Sequence, residues 1–169
     1  MNNTQESLAR LEQRVVELEA RIAILDLEAR YARTWDSGDG EGWASLYTDE
    51  GTFDMAAVGQ QGRQVVTGRK QLEAFCREID SIYRGLHFMH LPVIQIMGDT
   101  ATSRLHFQWT GSYNQGARYF GVRRAEGYYD VSYLRKDGVW LIERRLEKAT
   151  AGSISDNYDV YIDATEQAS

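Results

Sequence analysis

The sequence predicts an α+β fold in which helices cover one face of a strongly bent, mostly antiparallel sheet. Three observations predict it. Apolar residues recur at steps of three and four over about residues 5–36 and again over 68–83, the period of amphipathic helices. From about residue 86 the period changes to two, most clearly over residues 100–113. Helices come early and long strands late, which favours helices stacked on an antiparallel sheet over the alternating units of a parallel one.

The first helix has two characters. Leu8, Leu11, Val15, Leu18, Ile22 and Leu25 make three heptads of an apolar seam, while Glu12, Arg14, Glu17, Glu19 and Arg21 fill the other faces. A small domain cannot bury so long a helix alone, so this half packs on a second subunit or lies on its own sheet. The expectation is a homo-oligomer, a dimer or trimer. The second half carries Leu27, Tyr31 and Trp35 on one face and ends at Ser37-Gly38-Asp39-Gly40.

Shorter elements follow. Residues 42–47 form a second helix, residues 49–51 a turn, and residues 52–55 and 64–67 a hairpin. Leu72, Phe75, Ile79 and Ile82 give the third helix its inner face, and Cys76, following Leu72 and Phe75, reads as a buried structural thiol. Residues 86–97 form a strand bent near Pro92. In the next strand Ala101, Ser103, Leu105, Phe107 and Trp109 share one face, and Thr102, Arg104, His106 and Gln108 the other. Residues 119–134 and 139–148 are joined at the Lys136-Asp137-Gly138 turn. The expected organisation is residues 1–23 as an oligomer-forming heptad helix, 24–148 as a pocket domain, and 149–169 as a tail. That tail, with Tyr158, Val160, Tyr161 and Ile162, closes the pocket mouth or crosses to a neighbour.

Bulk composition narrows the function. The chain has 169 residues, 43% of them hydrophobic, enough for one folded core. A net charge of −6 disfavours a nucleic-acid partner. The polar N-terminus lacks a signal-peptide pattern and no apolar run is long enough to span a bilayer, so a cytoplasmic protein is expected. Three histidines and one cysteine make no close ligand set, and His87 and His90 on a strand face opposite ways, so no metal is expected. Phosphate-binding loops, dinucleotide fingerprints and nucleophile elbows are missing from the sequence, and no cofactor is expected.

The chemistry-bearing candidates are Tyr31, Asp36 and His87. A carboxylate that orients an imidazole makes a usable general base near neutral pH, and a nearby tyrosine hydroxyl can stabilise an oxyanion or protonate a leaving group. Each also has a structural reading: Asp36 as a turn or cap residue, Tyr31 as core, and His87 as a satisfied strand residue. Four Trp, ten Tyr and five Phe suit a cavity for a planar or polycyclic apolar ligand. The expected lining is Trp35, Phe53, Met55, Leu105, Phe107, Trp109, Tyr129 and Trp140. Arg144 shares the parity of Trp140, Ile142 and Leu146, which places it on the inner face, facing an acidic substrate group, Asp54 or Glu126.

The segment Leu27-Glu28-Ala29-Arg30-Tyr31-Ala32-Arg33-Thr34-Trp35-Asp36-Ser37-Gly38-Asp39 is followed by Trp43 and by Leu46-Tyr47-Thr48-Asp49-Glu50-Gly51-Thr52-Phe53-Asp54. With Thr67-Gly68-Arg69-Lys70, Pro92-Val93-Ile94, Gly98-Asp99-Thr100-Ala101-Thr102 and Lys136-Asp137-Gly138-Val139-Trp140, it resembles the SnoaL-like branch of the nuclear transport factor 2-like superfamily over residues 24–148. The resemblance implies a cone-shaped α+β barrel, a fold that hosts dehydratases, cyclases, isomerases and non-catalytic binders. The motifs are most similar to those of cofactor-free dehydratases of the bile-acid 7α-dehydratase and scytalone dehydratase types. That likeness implies Asp36 and His87 as a base dyad with Tyr31 as a polar partner. The sequence departs from those types at Trp109, Leu105 and Ala149, where they carry further polar residues. The expected function is a cofactor-independent lyase or dehydratase acting on a small apolar, cyclic or polyketide-like substrate. A cyclase or isomerase with the same dyad and a non-catalytic small-molecule-binding domain are the alternatives.

Overall fold

The computed structural model describes residues 2–55, 63–115 and 118–159. Its elements run α1 (Asn2–Asp36), α2 (Gly40–Ser45), β1 (Tyr47–Met55), β2 (Gln64–Thr67), α3 (Arg69–Ile82), β3 (Tyr83–Met89), β4 (Val93–Met97), β5 (Thr100–Gln115), β6 (Arg118–Lys136) and β7 (Val139–Asp159). This is the α+β arrangement expected: three helices and one large, curved, mostly antiparallel sheet.

At 1.5 Å per residue α1 is about 52 Å long, well beyond the width of such a sheet. Its residues 4–19 are accordingly exposed. Burial begins at Ala20 and continues through Ile24, Leu27, Glu28 and Tyr31, the stripe that lies on the core. The helix ends by a glycine-dependent closure. Gly38 takes φ 69°, the Asp39 N–H donates to the Thr34 carbonyl at 2.9 Å, and the Gly38 N–H donates to the Trp35 carbonyl at 3.0 Å. Asp39 then caps α2, its Oδ1 accepting from the Gly42 N–H at 2.9 Å. This closure fixes Asp36 as the last residue of α1.

The strands pair in the order β2-β1-β7-β6-β5-β3, with β4 also on β5, and β1–β7 is the parallel pair. Bulges interrupt β6–β7 near Val122, Glu126 and Tyr133, and β5–β6 near Gly111. Each bulge adds local bend and twist, which curls the sheet around α1 and α3. Gly127 sits at one of them. A Cβ there would collide with the carbonyl oxygen of Lys148, so a glycine is needed for β6 and β7 to approach. Gly127→Ala is expected to lower stability by about 1–3 kcal/mol, as overpacking does, measured as a reduced midpoint in urea.

Several sequence expectations are revised. Residues 49–51 lie inside β1, whose pairing to β7 shifts register between Tyr47 and Thr52, so a bulge replaces the expected turn. The second helix is Gly40–Ser45, with Tyr47 already in β1. Ile82, at the end of α3, is exposed. The strand near Pro92 is two strands, and β7 continues through residue 159. Val160, Tyr161 and Ile162 lie outside the described residues, as does the Tyr158 side chain. Among the described residues no helix is long and apolar enough to cross a membrane.

Burial along the inner face of the sheet is graded. Ala101, Ser103, Leu105 and Phe107 on β5, Tyr133, Val131 and Tyr129 on β6, and Trp140, Ile142 and Arg145 on β7 are buried. Further along the same faces Trp109, Ala125, Met55 and Glu147 are half-buried. Among the described residues burial is therefore tighter toward the Trp140 end of the inner face than toward Met55 and Glu147.

Candidate functional site

Asp36 and His87 come from separate layers, the end of α1 and the middle of β3. A carboxylate at a helix C-terminus faces the negative end of the helix dipole, an unfavourable position worth about 0.3–1 kcal/mol. Two hydrogen bonds offset it. Asp36 Oδ1 lies 2.7 Å from His87 Nδ1, and Asp36 Oδ2 accepts the His87 backbone N–H at 2.9 Å. With Nδ1–H donating to the carboxylate, Nε2 is left as the free base nitrogen. Tyr129 places its hydroxyl 3.3 Å from that nitrogen.

The imidazole is enclosed by aromatic rings. Tyr31, Trp35 and Phe107 lie with centroids 6.1, 6.4 and 6.4 Å from it. Phe107 stacks on Tyr129 at 4.2 Å, and Tyr31 meets Tyr129 edge-on at 5.9 Å. Burial pushes the hydroxyls of Tyr31 and Tyr129 well above the ordinary phenol range, so both stay neutral hydrogen-bonding groups. Beside the dyad is a cleft with about 10 Å³ of free volume, room for about one water, lined by Asp36, Trp35, Tyr83, Gly85 and Trp109 among others.

The structure thus brings together Tyr31, Asp36 and His87, with Trp35, Phe107 and Tyr129 around them. Phe53 packs on Trp35 at 6.1 Å, and Trp109 lies opposite His87 in the β3–β5 ladder. Leu105 is the cross-strand neighbour of Tyr129, and Met55 packs half-buried against the core, across from Glu147. Trp140 is buried away from the dyad. It borders a larger hollow of about 640 Å³ against the α1 face of Asp26, Arg30 and Arg33, opposite the Tyr31 stripe. His90 and His106 are exposed on the outer face, 6.2 Å apart. Cys76 is buried, and burial raises its thiol to about 12, which makes it inert.

Arg144 takes Asp54, one of its expected partners, but not the expected inner face. Its side chain is 48% exposed and pairs with Asp54 at 2.6 Å on the outer face. Arg63, with Arg144, holds that Asp54 carboxyl down at about 2. The inward arginine is Arg145, at 0% exposure. The cause is a bulge: Tyr133 pairs with Ile142 but Ser132 pairs with Arg144, so Glu143 is an extra residue and the parity of β7 flips after it.

Arg145 anchors a buried polar group that was not expected. Its Nη2 donates to both carboxylate oxygens of Glu28 at 2.6 Å, and the Tyr133 hydroxyl donates to Glu28 at 2.6 Å. Its guanidinium lies 3.6 Å over the Tyr31 ring and 4.7 Å over the Tyr129 ring. A signal was present in the sequence. Glu28 falls on the Ile24–Tyr31 stripe, and a carboxylate on a buried stripe requires a cation. The site's two tyrosines therefore rest on a fixed positive charge.

The structure is thus an α+β cone with a carboxylate–imidazole pair held between α1 and β3. The family model of the SnoaL-like domain matches residues 16–146, and the chain belongs to that family. Among solved structures, a protein of unknown function from Mycobacterium tuberculosis is 27% identical, with a TM-score of 0.66 over 82% of this chain and 75% of that one. A type 2 hexachlorocyclohexane dehydrochlorinase is 16% identical, with a TM-score of 0.74 over 88% and 97%. A protein from Novosphingobium aromaticivorans provisionally named a scytalone dehydratase is 18% identical, with a TM-score of 0.67 over 90% and 93%. The two less identical structures share the fold. No curated protein sequence matches the chain significantly.

Proposed function

We propose that this protein is a cofactor-independent lyase that removes water from a small apolar, cyclic or polyketide-like substrate by general-base catalysis. One observation carries the reading: His87 Nδ1 is held at 2.7 Å by Asp36, with Nε2 left facing the Tyr129 hydroxyl inside an aromatic cage. His87 takes a proton from the carbon next to a carbonyl. Asp36 holds the required tautomer and stabilises the imidazolium that forms. Tyr31 and Tyr129, neutral and propped by Arg145, hydrogen-bond the oxygen on which charge develops. The two fold relatives whose names describe elimination reactions support the same class.

The test is incubation of wild type and His87→Ala with a panel of β-hydroxy ketones, read by mass spectrometry. Loss of water by the wild type alone supports the lyase. An unchanged mass with a new retention time marks cyclisation or isomerisation with the same dyad. Equal binding by both proteins without turnover marks a non-catalytic binder.

The assembly reading is also ours. Leu8, Leu11, Val15, Leu18 and Ile22 remain 51–58% exposed along α1, an apolar heptad seam in water. A second or third copy of this chain covers it. The double change Leu11→Asp with Leu18→Asp is expected to convert the oligomer to monomer in sedimentation velocity, with the circular dichroism of the pocket domain retained. An unaltered sedimentation coefficient would remove the seam from the interface.

A further inference from the structure

Glu147 has no role in the reading above, and its position calls for one. It lies on the inner face of β7, two residues after Arg145, opposite Tyr129 on β6 and Met55 on β1. Tyr129 is the residue whose hydroxyl touches His87 Nε2. The next inner positions along β6 and β7 are Gly127 and Ala149, which carry little bulk. The other inward carboxylates are engaged: Glu28 by Arg145 and Tyr133, and Asp36 by His87. Glu147 is half-buried, and among the described residues its carboxyl has no hydrogen bond or ion pair. Burial raises it to about 7, against the opposing pull of Arg145 and Arg123. A large part of it is therefore protonated at neutral pH.

Water loss needs such a group, because hydroxide is a poor leaving group. The nearby phenols of Tyr31 and Tyr129 are weaker acids than an ordinary tyrosine. Resting on the assignment of His87 as the base, we propose that Glu147 is the catalytic acid that protonates the departing hydroxyl. His87 Nε2 takes the α-proton, and the C–H electron pair becomes the new C=C bond. The β C–O bond breaks, its oxygen takes the Glu147 proton, and water leaves. His87 is then an imidazolium and Glu147 a carboxylate. Proton transfer between them through solvent restores the starting state.

The experiment compares two probes, the β-hydroxy ketone formed from benzaldehyde and acetone and its β-chloro counterpart, whose chloride leaves without a proton. Glu147→Gln, nearly isosteric, is expected to lose about 100-fold on the hydroxy ketone and at most about threefold on the chloro ketone. His87→Ala loses both. Wild-type turnover of the hydroxy ketone falls as pH rises through about 7, where Glu147 gives up its proton, and that of the chloro ketone does not. The titratable and charged groups that act on Glu147 are Arg145 on β7, Arg123 and Tyr129 on β6, and Tyr31 on α1. Equal loss on both probes, or none on the hydroxy ketone, would overturn the role of Glu147 and leave the base intact. Failure of the wild type on both probes would overturn the base and Glu147 together. An infrared band of a protonated carboxyl, present in wild type below pH 7 and absent from Glu147→Gln, checks the acid without any substrate. Its absence from wild type would overturn the proposal.

Discussion

Arg145→Ala is expected to destabilise the protein by about 3–5 kcal/mol, the largest loss available to a single substitution here. The substitution leaves the Glu28 carboxylate buried with only the Tyr133 hydroxyl as donor, and removes the cation beneath Tyr31 and Tyr129. For a chain of this size the melting temperature should fall by on the order of 10 °C, measured by calorimetry. Both charges are hidden from water, so salt should alter the loss little. Combining Arg145→Met with Glu28→Leu removes the stranded charge with its partner and should recover most of the stability. A loss under about 1 kcal/mol from Arg145→Ala alone would contradict the pair's role.

The second large effect is on turnover. His87→Ala should reduce kcat on a β-hydroxy ketone by about 10²–10⁴-fold, the range for loss of a positioned general base. Asp36→Asn should be comparably damaging by a different route. The Asn amide donates to Nδ1, which moves the imidazole proton to Nε2 and removes the lone pair that accepts the substrate proton. Both variants should keep their far-ultraviolet circular dichroism, because the core stripe of α1 and the β3–β5 ladder do not depend on the imidazole. Retention of full kcat by His87→Ala would exclude the base assignment.

Much of this was readable from local pattern. The α1 stripe, the glycine closure at Gly38 and the β5 alternation each depend on residues a few positions apart, so the element faces followed directly. Tyr31, Asp36 and His87 were nameable from where they fall along the chain, and the family resemblance implied their roles. Their contact spans 51 positions and needed the fold.

The misreadings at Arg144, Arg145 and Glu147 share one origin. Arg144 and Arg145 differ by one position, and strand parity alone picked the wrong one. A single extra residue, Glu143, inverts the choice, and whether it bulges depends on how Ser132 and Tyr133 pair across the hairpin. The same inversion turned Glu147 inward and set Arg145 against Glu28, 117 positions away. Residue order set which segments are helix or strand and which faces are apolar, because those preferences are short-ranged. Strand register and burial were settled by packing between distant segments, and they chose which charge lies under the tyrosines and which carboxyl stands across from Tyr129.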